Sequence, residues 1–215
     1  MGLVIERFVY PLFQENTYLV GDEEARKAFI IDPGGPIQRV AEAVERHRWI
    51  PEAIILTHGH IDHLYGAAEA HRRFGVPVWI HAADEVWLHH LVTQSQMLGV
   101  PLAEEPPVGR SLADGDLLGL GASQARVIHT PGHSAGGICL HFAGARTLFT
   151  GDTLFAGSVG RTDLPEGDPA ALLASIQERI LPLGDEVVFY PGHGPDGTLG
   201  HERCSNPYLS SSARI

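Results

Sequence analysis

A chain of 215 residues with 44% hydrophobic and 19% charged residues has the composition of one globular domain with a sizeable core, which excludes a disordered or fibrous chain. Its formal charge is −11, with Lys27 the one lysine among 15 basic residues and no basic run. That balance disfavours an extended nucleic-acid surface, although local positive groups can still hold an anionic substrate.

Two cysteines, Cys139 and Cys204, are too few for a disulfide framework and point to a reducing cytoplasm. Glu6 and Arg7 interrupt the apolar N-terminal stretch, so no signal-peptide core or membrane span is expected. In chain order, short and partly β-branched apolar runs at 3–9, 17–20 and 28–31 predict strands. The third ends in the turn Asp32-Pro33-Gly34-Gly35, ahead of helical spacing over 37–47. Asp32 can serve there as a metal ligand or as a carboxylate satisfying turn amides. Ala53-Ile54-Ile55-Leu56 then predicts a buried strand opening into Thr57-His58-Gly59-His60-Ile61-Asp62-His63.

In an extended loop, residues two apart point the same way, so His58 and His60 can converge on one cation. Asp62 and His63 can face a second position beside it, and Asp62 also suits the N-cap of a helix beginning near Leu64. Borderline-soft divalent metals accept this mixture of imidazole and carboxylate. Helical spacing follows over 64–74 with Gly75 as C-cap, then a strand at 78–80. Next comes a helix at 83–91, with Trp87, Leu88 and Leu91 in the core. The segment 99–107, with prolines at 101, 106 and 107, reads as an irregular surface connection.

The second half repeats the alternation. A strand at 124–129 opens into Thr130-Pro131-Gly132-His133-Ser134, and strands at 138–142 and 146–149 lead to Thr150-Gly151-Asp152. Asp168 and Pro169 suit the N-cap and first turn of a helix with Leu172, Leu173, Ile176 and Ile180 on one face. A strand at 186–190 opens into Pro191-Gly192-His193-Gly194. Three further strand ends thus deliver one candidate ligand each: His133, Asp152 and His193. Gly132, Gly136 and Gly137 permit close backbone approach beside His133, or serve packing. The remaining histidines read as surface or hydrogen-bonded residues; His81 and His129, which follow strands, are placed to reach the surroundings of the ligands. Cys139 falls in a core strand and reads as inert, and no base stands beside Cys204.

THGHIDH, TPGHS, TGDTLF and PGHG, in that order, resemble the metallo-β-lactamase superfamily, with a match that spans essentially the whole chain. The resemblance implies one domain over 1–215 with an α/β fold, a four-layer αββα sandwich carrying a dinuclear metal site at one edge. It implies that His58, His60 and His133 hold metal one, that Asp62, His63 and His193 hold metal two, and that Asp152 bridges them. GSVGRTDLPEGD at 157–168, PGHGPDGTLGHER at 191–203 and Asn206-Pro207-Tyr208-Leu209 resemble short single-domain bacterial members of the glyoxalase II group, the hydroxyacylglutathione hydrolases.

That resemblance implies two divalent ions, zinc first and iron or manganese as alternatives. They would generate a hydroxide that attacks a thioester such as S-lactoylglutathione, releasing hydroxy acid and thiol. Asp62 or Asp152 would accept the proton, and Arg161 would either grip a substrate carboxylate or pair with Asp163 to fix its loop. Longer relatives add a C-terminal helical domain that contributes to glutathione binding, whereas this chain ends 22 residues after His193. Two other readings stand beside this one. The first is a mononuclear non-haem iron persulfide dioxygenase using His58, His133 and Asp152; the second is a metal-binding regulatory module without turnover. The expected partner is a small-molecule thioester, with no nucleic acid and no membrane, and a homo-oligomer stays open.

Overall fold

The computed structural model describes residues 2–209. Six strands form the first sheet in sequential order: β1 (Val4–Tyr10), β2 (Glu15–Asp22), β3 (Lys27–Ile31), β4 (Ile50–Ile55), β5 (Val78–His81) and β6 (Val108–Leu112). β1 to β3 pair antiparallel, and β3 to β6 pair parallel. Parallel neighbours need crossovers. These carry α1 (Gln38–His47), α2 (Ile61–Leu64), α3 (Ala67–Phe74), α4 (Glu85–Leu88) and α5 (Leu91–Leu98).

The second sheet begins with β7 (Leu117–Leu120), β8 (Ser123–His129), β9 (Ile138–Phe142) and β10 (Thr147–Gly151), an antiparallel set. A small hairpin follows, β11 (Leu154–Phe155) with β12 (Ser158–Val159), and then α6 (Pro169–Ala174). β13 (Val188–Pro191) returns parallel to β10, β14 (Gly197–Thr198) closes the edge, and α7 (Leu199–Ser205) follows.

Strand alternation sorts the apolar side chains into three cores. Tyr18, Val20, Phe29, Ile31 and Ile55 of the first sheet meet Val127, Leu140, Phe142 and Phe149 of the second. The alternate residues Leu19, Ile30 and Ile54 face the other way, onto Val40, Val44, Ala67 and Leu88 of the helices. On the far side Ile128, Cys139, Leu148 and Phe189 pack against Leu172, Ile176 and Leu199. Helix, sheet, sheet, helix is the αββα order expected. Residues 28–31 of β3, 53–55 of β4 and 138–140 of β9 are buried on both faces, which is why they read as continuous apolar runs rather than alternating ones.

The structure shifts several expected elements. One helix was expected over 64–74, but α2 starts at Ile61 and a break at Tyr65–Gly66 precedes α3. Gly66 N–H donates to Pro33 O at 2.7 Å, and a Cβ on Gly66 would collide with Gly35 O. Close packing against the 32–35 turn therefore interrupts the helix. Asp62 is not an N-cap: extended His60 holds that position, and Asp62 lies inside the first turn. The helix expected over 83–91 is instead a 3₁₀ turn, α4 and a separate α5. Leu88 and Leu91 are buried as expected, whereas Trp87 is only half-buried. Asp168 caps α6 as expected, accepting from Ala170 and Ala171 N–H with Pro169 in the first turn. Residues 100–107 are irregular.

Candidate metal centre

Every candidate ligand lies just beyond a strand, where both sheets end together. β4 runs into the loop and short helix carrying His58, His60, Asp62 and His63; β8, β10 and β13 are followed by His133, Asp152 and His193. The rings of His58, His60 and His133 face one another at centroid distances of 4.7 to 4.8 Å, near-perpendicular in each pair. His60 Nδ1 and His133 Nε2 approach to 2.9 Å. Beside them, Asp62 Oδ2 lies 3.2 Å from His193 Nε2 and 3.8 Å from His63 Nε2. Asp152 sits between the groups: Oδ1 is 3.2 Å from His63 Nε2, and Oδ2 is 3.6 Å from His133 Nε2 and 3.8 Å from His193 Nε2. One donor atom from each of His58, His60 and His133 lies within 4.8 Å of the others, and the same holds for Asp62, His63 and His193.

Four buried atoms in this cluster have no hydrogen-bond partner: His58 Nε2, His60 Nε2, His63 Nε2 and Asp152 Oδ1. Buried polar atoms are rarely left so, and divalent cations fit this donor set chemically. The opposite ring nitrogen is occupied in four of the five histidines. Thr57 Oγ1 is 3.1 Å from His58 Nδ1, Asp32 Oδ2 is 2.9 Å from His63 Nδ1, Arg161 O is 2.8 Å from His133 Nδ1, and Gln14 O is 3.1 Å from His193 Nδ1. Such contacts fix ring orientation and leave Nε2 for a cation.

The electrostatics divide the cluster. Burial, reinforced by neighbouring imidazoles, drives the His58 ring far toward its neutral form and takes His60 down to about 4. Burial also opposes charge on His63, but Asp152, Asp62 and Asp32 together raise it well above the ordinary value. Burial opposes ionisation of Asp152 too, and His63 and the neighbouring histidines overcome it. Positive charge is therefore favoured between the carboxylates, which is the property a cation needs there.

Asp32 is one residue whose role the sequence left open, and the structure places it behind the candidate ligands. Its Oδ1 accepts from Thr57 N–H at 2.7 Å and its Oδ2 from Thr57 Oγ1 at 2.6 Å, besides meeting His63. Arg161 forms a bidentate pair with Asp163 at 2.6 and 2.7 Å, so the structure displays the loop-fixing alternative. Gly132 and Gly136 serve packing: a Cβ would collide with Leu172 at the first and come within 2.6 Å of Asp84 at the second. His81 and His129 stack on each other at 4.3 Å, and His129 reaches Ala135 O rather than a ligand.

Other contributors gave no signal in the sequence. Asp84, fully buried, accepts from Gly59 N–H at 2.9 Å, Ser134 Oγ at 2.7 Å and Gly136 N–H. It thereby ties the His58/His60 loop to the His133 loop. Asn16 Nδ2 donates to Pro191 O and Gly194 O, both at 2.9 Å, and Tyr18 OH to Pro191 O at 2.7 Å, which holds the His193 loop. Trp87 flanks His60 at 5.5 Å and Phe155 flanks His193 at 6.2 Å. Only a sequence pattern pairing Asp84 with the small residues of distant loops would have exposed the first of these.

Comparison with known proteins agrees with the geometry. The family profile described as the metallo-beta-lactamase superfamily matches residues 10–193. The hydroxyacylglutathione hydrolase GloC of Haemophilus influenzae is 36% identical over 211 residues, covering 97% of this chain and 99% of that protein. Among solved structures, the BLEG-1 B3 metallo-beta-lactamase superposes with a TM-score of 0.90 at 35% identity, covering 97% of this chain and all of the other. TTHA1623, solved in a di-iron-bound form, gives a TM-score of 0.86 at 37% identity over 95% of this chain and all of the other.

Proposed function

This chain belongs to the metallo-beta-lactamase superfamily, and from that premise we propose a dinuclear metal-dependent hydrolase that cleaves small acyl thioesters of the S-lactoylglutathione kind. The observation that carries the reading is the pair of adjoining donor sets with Asp152 between them. His58, His60 and His133 would hold one cation and Asp62, His63 and His193 the other, with Asp152 shared. Zinc is the first expectation, and iron is supported by the likeness to TTHA1623. Bound there, two divalent ions would supply a hydroxide nucleophile at neutral pH and polarise the substrate carbonyl.

The chain's own groups do the rest. Thr57, Asp32, Gln14 and Arg161 hold four of the imidazoles in fixed orientation, so little reorganisation is needed when charge develops. Trp87 and Phe155 wall the two ends of the centre with aromatic surface suited to a small acyl group. Asp62, with a side chain 26% exposed against 11% for Asp152, is the more open carboxylate and would accept the proton carried in by the attacking hydroxide as the C–S bond breaks. A leaving thiolate needs little protonation, so no separate acid is required. The likeness to GloC supports the thioester. A second reading, β-lactam hydrolysis, is supported by the likeness to BLEG-1.

Elemental analysis of the purified chain, alongside assays with S-lactoylglutathione and a chromogenic cephalosporin, tests the reading. We expect two metal equivalents per chain and thioester hydrolysis well above β-lactam turnover. Absence of thioesterase activity in the metal-replete protein would sink it. A single iron with oxygen consumption on glutathione persulfide would replace it with the dioxygenase.

A further inference from the structure

Trp87 of α4 is fixed at three points beside the first donor set. Its stem packs into the ligand loop, where a Cβ on Gly59 would stand 2.6 Å from Trp87 Cβ. Its ring meets the His60 ring edge-on at 5.5 Å. Its carbonyl accepts from Gln94 Nε2 at 3.1 Å, and Gln94 Oε1 in turn accepts from Ile61 N–H at 3.0 Å. α4 and α5 thus hold the indole against the centre from both stem and ring.

The indole N–H then crosses to the other half of the molecule, donating to Glu166 Oε2 at 3.1 Å. Glu166 belongs to the segment 161–168, and both ends of that segment are tied to the His133 loop. Arg161 O is 2.8 Å from His133 Nδ1, and Asp168 N–H donates to Gly132 O at 2.8 Å. His60 and His133 approach each other to 2.9 Å, so the contacts close a circuit of His60, Trp87, Glu166, the 161–168 segment and His133. That circuit walls the side of the first donor set, where His60 and His133 are buried. The centre is more open at Asp62 and His193, whose side chains are 26% and 29% exposed.

Glu166 keeps its place in the wall at a cost. Its φ is +68°, in the left-handed region that a side chain with a Cβ seldom enters and glycine enters freely. The residue is exposed, so the fold of the segment gains nothing from a glutamate there. What the side chain supplies is the acceptor for the indole, and strain kept for such a contact is a mark of function.

We propose that the Trp87–Glu166 hydrogen bond sets the size limit for the acyl group, by holding the wall beside His60 and His133 closed. The assignment deepens the hydrolase reading and rests on it only in naming the excluded group as the acyl half. A branched acyl group has to displace the indole and break the bond, whereas a small one does not. The discrimination is then the worth of about one hydrogen bond to a charged group, roughly tenfold.

Two pairs of probes test this on the metal-loaded protein. Calorimetry gives Kd for acetohydroxamate and pivalohydroxamate, which chelate metal ions without turnover, and kcat/KM is measured for S-acetylglutathione and S-pivaloylglutathione. Glu166→Gly suits the backbone, so it should fold, and it should shift both ratios about tenfold toward the pivaloyl member. Glu166→Gln keeps an acceptor for the indole and should shift them much less. In the metal-free protein, proton NMR identifies the Trp87 indole N–H by its loss in Trp87→Phe. That resonance should move upfield and exchange faster in Glu166→Gly. Unchanged ratios in folded Glu166→Gly would overturn the proposal, and so would an unaltered indole resonance. A shift in Glu166→Gln as large as in Glu166→Gly would also overturn it, because the charge and not the bond would then set the preference. Failure of the hydrolase reading shows separately, as absent turnover of both thioesters while the hydroxamate ratio still responds to Glu166→Gly.

Discussion

At the scale of single residues, the candidate ligands and their supports were unequally visible. His58, His60, Asp62 and His63 stand together in seven residues, and His133, Asp152 and His193 each follow an apolar run, so chemistry and position announce them. Asp84 has neither advantage. It is one carboxylate after a short strand, and its partners lie 25 to 52 positions away. Burial makes it important all the same. Asp84→Ala would leave the N–H groups of Gly59 and Gly136 without an acceptor, at about 1–3 kcal/mol for each unsatisfied group. Urea unfolding should therefore show a loss of roughly 3 kcal/mol. Gly59 and Gly136 flank the His58, His60 and His133 set, so metal titration should show that set weakened more than Asp62, His63 and His193. Equal weakening of both would mean that Asp84 supports the fold without positioning these ligands.

At the scale of elements, strands were legible where consecutive apolar residues are buried on both faces, as at 28–31 in β3, 53–55 in β4 and 138–140 in β9. Of the four edge strands of the two large sheets, β1 was legible as the apolar run at 3–9, whereas β6, β7 and β14 were not. β6 reads Val-Gly-Arg-Ser-Leu and is exposed at all but one position, so its place follows from pairing with β5 rather than from its own pattern. Helix breaks were hidden for a similar reason. The spacing of Leu64, Ala67, Ala68 and His71 is compatible with one helix, yet Gly66 meets the 32–35 turn. Tertiary contact overrides local periodicity there. Gly66→Ala, which on propensity alone would favour helix, should instead destabilise the protein by about 1–3 kcal/mol through overpacking. The shift in unfolding midpoint measures it, and a stabilised variant would show that the turn can move aside. Displacing that turn also moves Asp32, so metal affinity should fall with stability.

At the scale of the whole molecule, the site lies on the seam between the two sheets, and groups at that seam decide how the halves hold together. Asp22, at the end of β2, accepts from Ala25 and Glu24 N–H within its own hairpin and from Ala122 N–H of the β7–β8 turn. The Ala25 N–H first, then that of Ala122, hold its carboxyl below the ordinary value. A carboxyl lowered in the folded state stabilises fully above its unfolded pKa, near 4, and loses that contribution as pH falls through the lower folded value. Asp22→Asn should thus flatten the acid limb of stability below about pH 4, as measured by unfolding at a series of pH values. The cations would act across the same seam. His58, His60, Asp62 and His63 come from the first sheet, and His133, Asp152 and His193 from the second. A cation binding donors from both sheets binds only the folded chain, so its binding energy adds to folding. At a thousandfold excess over Kd this is about 4 kcal/mol per ion, and for a domain of this size each kcal/mol shifts Tm by roughly 2–4 °C. Stripping the metal with a chelator should then lower Tm by about 10 °C or more, and two equivalents, not one, should restore it fully. Full recovery at one equivalent would show that a single ion closes the seam, and no change on chelation would show that the donors are held by the fold alone.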